Sequence, residues 1–210
     1  MNKHGNFRIF STIILIAFIL VGVTAFSVLS TDPTSTEELT LEEEIEQMFN
    51  DALDSITKNV QITDKIGKYY GPPRQQKIQK IAIMIKPMIS TEIDLSNLII
   101  KISNGETIRI LSYSGHAQKI GSSNLFDHPI WNNLTENDFG LVVTLDKDNS
   151  LKDYNTINKN NDMAYIVIQL PTSFYMQKGD TIVAQLFPSS GISKTTILEA
   201  PLPMKSVVQL

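Results

Sequence analysis

Residues 97–113 read NLIIKISNGETIRILSY, and this stretch decides the fold of the chain. Two isoleucine-rich runs, 97–103 and 107–113, flank the pair Asn104-Gly105. Asn-Gly is the strongest short signal for a β-hairpin, because both positions of a tight hairpin turn need a positive φ that asparagine and glycine tolerate. We therefore predict two antiparallel strands joined by a turn at Asn104-Gly105.

The same strand pattern continues on both sides of the hairpin. Upstream, KIAIMIK (80–86) places three isoleucines on one face, as an alternating strand does. Further strand candidates downstream are 141–145, 164–170, 181–187 and 195–200. About seven short strands with no helical period between them predict an antiparallel, immunoglobulin-like β-sandwich over 74–210.

An amphipathic helix precedes the sandwich, which makes the chain α+β. In TLEEEIEQMFNDALDSITKNVQI (40–62), Thr40 and Glu43 have the spacing of a capping box, which satisfies two free amides at a helix start. Apolar residues recur at steps of three and four and form one stripe, made of Leu41, Ile45, Met48, Phe49, Ala52, Ile56 and Val60. This stripe needs a partner, either the chain's own body or a neighbouring copy.

Composition and charge exclude several functions. The net charge is -4, which argues against non-specific nucleic-acid binding. The chain has no cysteine, so disulfides and thiolate chemistry are excluded. No Lys or Arg stands between Arg8 and Lys58, whereas nine Asp and Glu residues do. In an isolated chain we interpret this run as a solvated helix face.

An uncharged apolar stretch lies near the start of the chain. From Phe10 to Leu29 there is no charged residue, and about 20 residues of helix span a hydrocarbon core. Three interpretations stay open from the residues alone. The stretch is a secretion signal cut after Ala25, a permanent membrane anchor, or a working part of the mature protein that remains after a cut following Gly5.

Signals for catalysis are weak. The three histidines, His4, His116 and His128, have no partner at the three- or four-residue spacing of paired zinc ligands. Neither a nucleophile elbow nor a phosphate-binding glycine loop occurs in the sequence. We therefore predict that the chain is not an enzyme and has no catalytic residue.

One short motif bears on metal binding. DKDNS (146–150) places Asp146 and Asp148 at alternate positions, as in the first half of a calcium loop. The sixth position is leucine instead of glycine, and the twelfth is isoleucine instead of glutamate. We favour a solvated turn within an exposed, asparagine-rich loop over 146–162, with a metal site at Asp146 and Asp148 as the alternative.

A second short motif bears on modification. Asn133-Leu134-Thr135 is an acceptor triplet for N-glycosylation. Such a triplet is used only on an outward-facing loop of a protein that leaves the cytoplasm. Asn133 is therefore a candidate glycan site if the body of the chain is extracellular.

Three parts of the chain together resemble one family. MNKHG/NFRIFSTIILIAFILVGVTAFSVL (1–29) resembles the class III signal peptide and N-terminal helix of the archaeal flagellins, or archaellins, with the family's Ile-Ala-x-Val-Leu-Val core read here as IAFILV (16–21). KIAIMIKPMISTEIDLSNLIIKISNGETIRILSYS (80–114) resembles the family's first sandwich strands. GDTIVAQLFPSSGISKTTILEAPLPMKSVVQL (179–210) resembles its final hairpin and apolar end.

This resemblance implies a type IV pilin-like subunit of the archaellum filament. A prepilin-type peptidase would remove the leader 1–5, with the cut site formed by Lys3, His4, Gly5 and Asn6. Residues 6–70 would form a helical region, whose apolar helix 10–29 first holds the precursor in the membrane and then packs among like helices in the filament centre. The residues expected in that assembly helix are Ile13, Ile14, Leu15, Ile16, Phe18, Ile19, Leu20 and Val21.

The resemblance also implies partners and a location. The subunit would polymerise with itself or with other archaellins into an extracellular filament for swimming motility or adhesion, helped by an assembly ATPase and its membrane platform. No cofactor is expected, but cations could stabilise the filament, because acids repeated in every subunit repel over about 10 Å at 0.1 M salt. Segments 122–138 and 146–162 would face solvent or neighbours. The alternative is a membrane-anchored extracellular β-sandwich binding protein, such as an archaellum stator component.

Overall fold

The computed structural model describes residues 41–72, 74–121, 124–189, 191–203 and 205–210. The predicted leader, its cut site and the apolar assembly helix lie outside these residues. Contacts divide the chain into two units, Met1–Glu44 and Ile45–Leu210, and every described strand belongs to the second. Within the described ranges, no helix combines the length and the hydropathy that a membrane span requires.

Helices and strands follow one another in an order dominated by strands. The helices are α1 (Leu41–Thr57) and α2 (Ser150–Tyr154), and short 3₁₀ turns cover Leu125–Asp127, Pro129–Asn133 and Thr172–Phe174. The strands are β1 (Val60–Tyr70), β2 (Lys77–Pro87), β3 (Ile93–Asp94), β4 (Ile99–Ser103), β5 (Ile108–Lys119), β6 (Asp138–Leu145), β7 (Thr156–Ile157), β8 (Met163–Gln169), β9 (Thr181–Phe187), β10 (Lys194–Glu199) and β11 (Val207–Gln209).

The boundary between helix and sheet lies earlier than the sequence predicted. Helix α1 ends at Thr57, and β1 begins at Val60, so the predicted helix over 40–62 is too long and the sandwich does not start at 74. Val60 belongs to the helical stripe by spacing, but it is buried in the sheet and pairs with Pro87 of β2. A long antiparallel ladder with β2 therefore overrides the helical period at this point.

The hairpin at Asn104-Gly105 is confirmed, with a different turn. Strands β4 and β5 pair antiparallel up to Ser103↔Ile108, so the loop has four residues. Only Gly105 has a positive φ, of 92°. The side-chain oxygen of Asn104 instead accepts hydrogen bonds from the backbone N–H groups of Glu106 and Thr107, at 3.2 and 2.9 Å. Asparagine here acts through its side chain, as in an Asx turn.

A single curled sheet of nine strands replaces the two separate sheets of the predicted sandwich, in the order β10-β9-β4-β5-β6-β8-β2-β1-β11. Strand β5 belongs to both halves: its first residues pair with β4 and its last residues pair with β6. The register breaks between Tyr113 and Ala117, where Gly115 has a φ of 79°. This irregularity lets the strand change direction, as β-bulges do. The curl brings β1 beside β10, where the Lys65 ammonium donates to the carbonyl of Ile197 at 2.9 Å.

One strand pair departs from the predicted antiparallel pattern. Strands β5 and β6 run parallel, and parallel neighbours need a crossover of a dozen or more residues. The connection 120–137 supplies that crossover with 3₁₀ turns instead of a helix. Its side chains Ile130 and Trp131 are buried, so the prediction that 122–138 faces solvent or neighbours holds for part of the segment, 135–137 for example, and is wrong for these anchors.

The sheet is covered on both sides at its centre. The main core fills the inside of the curl and contains the inward side chains of almost every strand. A second apolar cluster lies on the opposite side, where Ala82, Val142 and Val167 pack against the crossover. The crossover packs closely on Gly140, since a Cβ at this position would lie 2.8 Å from the Cδ1 of Ile130 and that side chain would have to move. Strands β6 and β8 and the middle of β2 (81–85) are therefore almost continuously apolar, as strands buried on two faces are.

Candidate functional site

Three aspartates meet at one end of the sheet. Asp146 follows the last residue of β6, Asp162 precedes the first residue of β8, and Asp148 lies in the connection between them. One carboxylate oxygen of each lies within 4.8 Å of the other two. Because β6 and β8 are adjacent antiparallel strands, the hydrogen-bonded ladder itself holds Asp146 and Asp162 close together.

The connection between these strands is folded. Helix α2 is bounded by Asn149 and Asn155, which both adopt the left-handed conformation with φ of 62° and 56°. Leu151 of α2 and Ile157 of β7 are fully buried in the main core, and Ile157 pairs with Ile93. The prediction of an exposed loop over 146–162 is therefore wrong, and the apolar anchors explain why the aspartates keep one arrangement.

Backbone and side-chain donors hold one oxygen of each carboxylate. Asp162 Oδ2 accepts from the backbone N–H groups of Asn158 and Lys159, at 3.0 and 2.9 Å. Asp146 Oδ2 accepts from the N–H of Lys152 at 3.3 Å. Asp148 Oδ2 forms an ion pair with the Lys159 ammonium at 2.6 Å. The other oxygen of Asp148 accepts from the N–H of Ser150 at 3.4 Å, whereas the other oxygens of Asp146 and Asp162 have no protein donor.

Four of the remaining oxygens are buried without a protein hydrogen-bond donor. They are Asp146 Oδ1, Ser150 Oγ, Asn158 Oδ1 and Asp162 Oδ1. Asp162 is fully buried, and Asp146 and Ser150 are 8% and 6% exposed. A buried polar group without a partner costs about 1–3 kcal/mol, and more if it is charged. Four such oxygens lie in one short connection and form a set of donors that could hold a cation.

The pKa shifts of the aspartates also reflect the concentration of negative charge in the cluster. Burial, a hydrogen bond with Asp148 and the nearby charge of Asp162 raise the pKa of Asp146 above its ordinary value. The hydrogen bond from Lys159 holds the pKa of Asp148 below its ordinary value. The Lys159 ammonium thus pairs directly with Asp148, whereas the oxygens of Asp146 form no ion pair within 4.0 Å among the described residues. A bound cation would give Asp146 such a partner.

Two further residues with oxygen donors, Asp162 and Asn158, lie beside Asp146 and Asp148, and the sequence pattern did not identify them. Asp162 and Asn158 come from the far end of the connection, beyond the twelfth position that the calcium-loop comparison tests. Ser150, the third alternate position of DKDNS, is part of the same cluster. The favoured interpretation of a solvated turn is wrong, because Asp146 is buried. The density of Asp and Asn over 146–162 was the signal available in the sequence.

The glycan candidate lies in a second loop. Asn133 is exposed and ends the 3₁₀ turn Pro129–Asn133, two residues after the buried Trp131. The hydroxyl of Thr135 donates to Asp138 Oδ2 at 2.8 Å, and its N–H donates to Oδ1 at 2.8 Å. The triplet is thus presented on the surface by a segment with a buried anchor.

Comparison with known proteins decides the family. The sequence model of the archaeal-type flagellins matches residues 6–197. The chain belongs to the archaeal-type flagellin family. The predicted resemblance is therefore confirmed.

Two relatives support the assignment to the archaeal flagellins. Flagellin B3 of Methanocaldococcus jannaschii is 27% identical over 208 residues, which are 95% of this chain and 92% of the relative. Flagellin B4 of Pyrococcus abyssi is 28% identical over 174 residues, which are 80% of this chain and 77% of the relative.

Solved structures show that the fold is that of archaeal flagellins. The crystal structure of flagellin FlaB1 from Methanocaldococcus jannaschii has a TM-score of 0.64 at 21% identity, covering 71% of this chain and 94% of that one. A structure of the archaeal flagellum of Methanospirillum hungatei has a TM-score of 0.53 at 14% identity, covering 96% of this chain and 98% of that one.

Family membership establishes the broad role of the chain. It is a structural subunit of the extracellular archaellum filament and not an enzyme, as predicted. The alternative of a stator-type binding protein is less supported, because the matching family is that of the filament subunits.

Proposed function

We propose that the chain is made as a membrane-held precursor, cut after Gly5, and assembled through the apolar helix over 10–29. The match to the family begins at Asn6, the residue that would follow the cut. The segment carries no charge from Phe10 to Leu29, so it suits lipid or the centre of a helix bundle and not water. Moving it from lipid to a bundle gains little apolar burial, so packing between helices and between bodies must favour the filament.

The subunit has three kinds of partner in this proposal: a peptidase, an assembly ATPase and other subunits. A prepilin-type peptidase recognises Lys3-His4-Gly5 and releases Asn6 as the new N-terminus. An assembly ATPase on a membrane platform supplies the energy that extraction of an apolar helix from lipid needs. The subunit itself, alone or with other archaellins, is the remaining partner.

The mature N-terminus tests the processing step. Mass spectrometry of isolated filaments should find chains that begin at Asn6. Gly5→Val should leave the precursor uncut and abolish filaments seen by electron microscopy. Gly22→Ala, a matched change inside the apolar segment, should leave the cut unaffected. Chains that begin at Met1 or Phe26 would instead indicate a permanent anchor or an ordinary secretion signal and refute the proposal.

We further propose that the aspartate cluster binds a calcium ion. The available donors are carboxylate, hydroxyl and amide oxygens, a set that hard cations prefer and that suits neither zinc nor copper. Calcium accepts six to eight oxygens in flexible geometry, whereas magnesium keeps several waters and uses only one or two carboxylates. Asp146, Asp148, Asp162, Ser150 and Asn158 together fit calcium better.

Calorimetric titration tests this cation site directly. Filaments stripped with a chelator should bind about one calcium ion for each chain and bind magnesium more weakly. Asp162→Asn should remove this binding, whereas Asp153→Asn should not, because Asp153 lies in α2 outside the cluster and forms only an exposed ion pair with Lys152. Equal calcium binding by the two variants would contradict the assignment.

Asn133 is our proposed glycan site. It is exposed, it lies in an acceptor triplet, and the filament is extracellular. A glycan there would cover the crossover next to the second apolar cluster. Peptide mass spectrometry of filaments should show a modified peptide that contains Asn133, and an unmodified peptide would refute the proposal.

A further inference from the structure

Four neighbouring strands, β10, β9, β4 and β5, present an apolar outer face to solvent. Their inward side chains belong to the main core, and the alternate side chains point outward. The large exposed residues of this outer face are Ile99, Ile108, Ile110, Val183, Phe187 and Ile197. The pairing of the four strands sets Ile197, Val183, Ser103 and Ile108 in one row across them, so three of the four side chains in this row are apolar.

The size of the outer face suits a helix. Four strands span about 14 Å across and residues 99–103 span about 13 Å along a strand. Exposed apolar patches of this kind mark interaction sites, since single exposed apolar residues are ordinary but contiguous ones are not. Ile108 and Ile110, on β5 at one side of this face, are 59% and 65% exposed, and Ile197, on β10 at the other side, is 60% exposed, so the surface is uncovered in a single chain.

The same chain carries a second uncovered apolar surface. In α1, the residues Ile45, Met48, Phe49 and Leu53 are all exposed, with Phe49 at 62%. They form a stripe about 12 Å long, since eight residues of helix rise by 1.5 Å each. Because both surfaces are exposed in one structure, the helix stripe does not cover the outer face of its own chain.

Charge complements the apolar match. Helix α1 has acids on its other side, including Glu46 and Asp51, and has no basic residue in its last turn. The outer face has Lys101 near its middle, between Ile110 and Gln185, and Lys65 at its border beside Ile197. A helix with an acidic flank can therefore dock its apolar stripe on this face while lysines meet the acids.

We infer that the stripe of α1 in one subunit docks on the outer face of β10-β9-β4-β5 in the next subunit. Each chain then uses two different surfaces, so the contact is heterologous and leaves one free surface at each end of a growing chain of subunits. Such contacts build open helical assemblies instead of closed dimers. The inference rests on the filament role and adds to it a contact between the bodies of neighbouring subunits.

Disulfide trapping tests the contact cleanly, because the chain has no cysteine. Two tagged variants, Phe49→Cys and Ile110→Cys, would be produced together in the archaeal cells that assemble the filament. After oxidation of isolated filaments, we expect disulfide-linked dimers that carry both tags. The matched control pairs Phe49→Cys with Tyr154→Cys, which is 75% exposed but outside the outer face, and should give no such dimers.

Other results overturn the inference in recognisable ways. Linkage no greater than in the control pair means that the two surfaces do not meet. Dimers from Ile110→Cys alone mean that two outer faces meet instead. A third variant carries both Phe49→Cys and Ile110→Cys, and an internal disulfide in it means that the helix folds on its own chain. Electron microscopy distinguishes this contact from the filament role. If the cysteine variants form filaments without the expected dimer, only this contact is refuted. If the wild-type chain forms no filaments, the filament role is refuted.

Discussion

Asp162→Asn should change the stability of the subunit in opposite directions with and without calcium. Asp162 and Asp146 are buried, and their nearest oxygens lie within 4.8 Å. At an effective dielectric constant of about 20, two charges at that distance repel by about 3.5 kcal/mol. Asparagine removes this repulsion, and its oxygen can still accept from Asn158 and Lys159. Its amide group can donate to the free oxygen of Asp146.

The size of the calcium effect follows from linkage. At a free concentration of about one hundred times the Kd, a bound ion stabilises the folded state by about 2.7 kcal/mol. For a body of this size each kcal/mol shifts Tm by about 2–4 °C. Wild-type filaments should therefore melt about 5–10 °C higher in calcium than in chelator. The Asp162→Asn variant should melt higher than wild type in chelator and show no calcium response.

Scanning calorimetry of isolated filaments, with chelator or with millimolar calcium, measures both effects. Asp153→Asn is the control and should follow wild type under both conditions. The reasoning would be refuted by a wild-type Tm that ignores calcium. It would also be refuted by an Asp162→Asn variant that is less stable in chelator and still gains stability from calcium.

The cluster also sets a pH dependence with a defined sign. The pKa of Asp146 is raised, so its proton competes with the cation at a higher pH than for an ordinary aspartate. Calcium affinity should fall as pH decreases toward that raised pKa, and calcium binding should release protons. Titration in two buffers of different ionisation enthalpy measures the proton release, and its absence near the pKa of Asp146 would contradict this account.

Three further changes test other parts of the subunit. Ile130→Ala should lower the free energy of unfolding by about 2–5 kcal/mol, because it empties the fully buried contact between the crossover and Gly140; denaturant unfolding measures this, and a loss below about 1 kcal/mol would contradict the packing. Burial raises the pKa of Tyr113 to about 12 from 10, so its contribution to stability is complete below pH 10 and lost as pH rises toward 12. Tyr113→Phe should therefore reduce the loss of unfolding free energy between pH 10 and 12. Equally steep plots of unfolding free energy against pH for the variant and the wild type would count against this. Asn133→Gln should reduce the mass of the filament subunit by the whole glycan, and an unchanged mass, apart from the side-chain difference, would exclude Asn133 as the site.

The strands were predictable because their signals are local. The run over 164–170 is a short segment rich in apolar and β-branched residues, and the hairpin has its turn residues at Asn104-Gly105; both have the predicted type. Strand β1 was missed for the opposite reason. Val60 continues the spacing of the helix stripe, and only its pairing with β2, far along the chain, makes it part of a strand.

The aspartate cluster shows the same limit for a site. Asp146 and Asp148 were recognised because they are close in sequence and match half of a known loop. Asp162 and Asn158 join them only because β6 and β8 are neighbours and because Leu151 is anchored in the core. Burial of charge, which separates this site from a solvated turn, is a property of the folded chain and has no local sequence signal.

The shared strand β5 has a mechanical consequence for a filament that carries load. Where a sandwich consists of two separate sheets, sliding of one over the other breaks only side-chain packing. Here the two halves are joined through the backbone of β5, which is hydrogen-bonded to β4 at one end and to β6 at the other. Shear between the halves must therefore break hydrogen-bonded ladders or bend the chain at Gly115. A force applied to one side of the subunit is thus transmitted along a covalent chain to the other side.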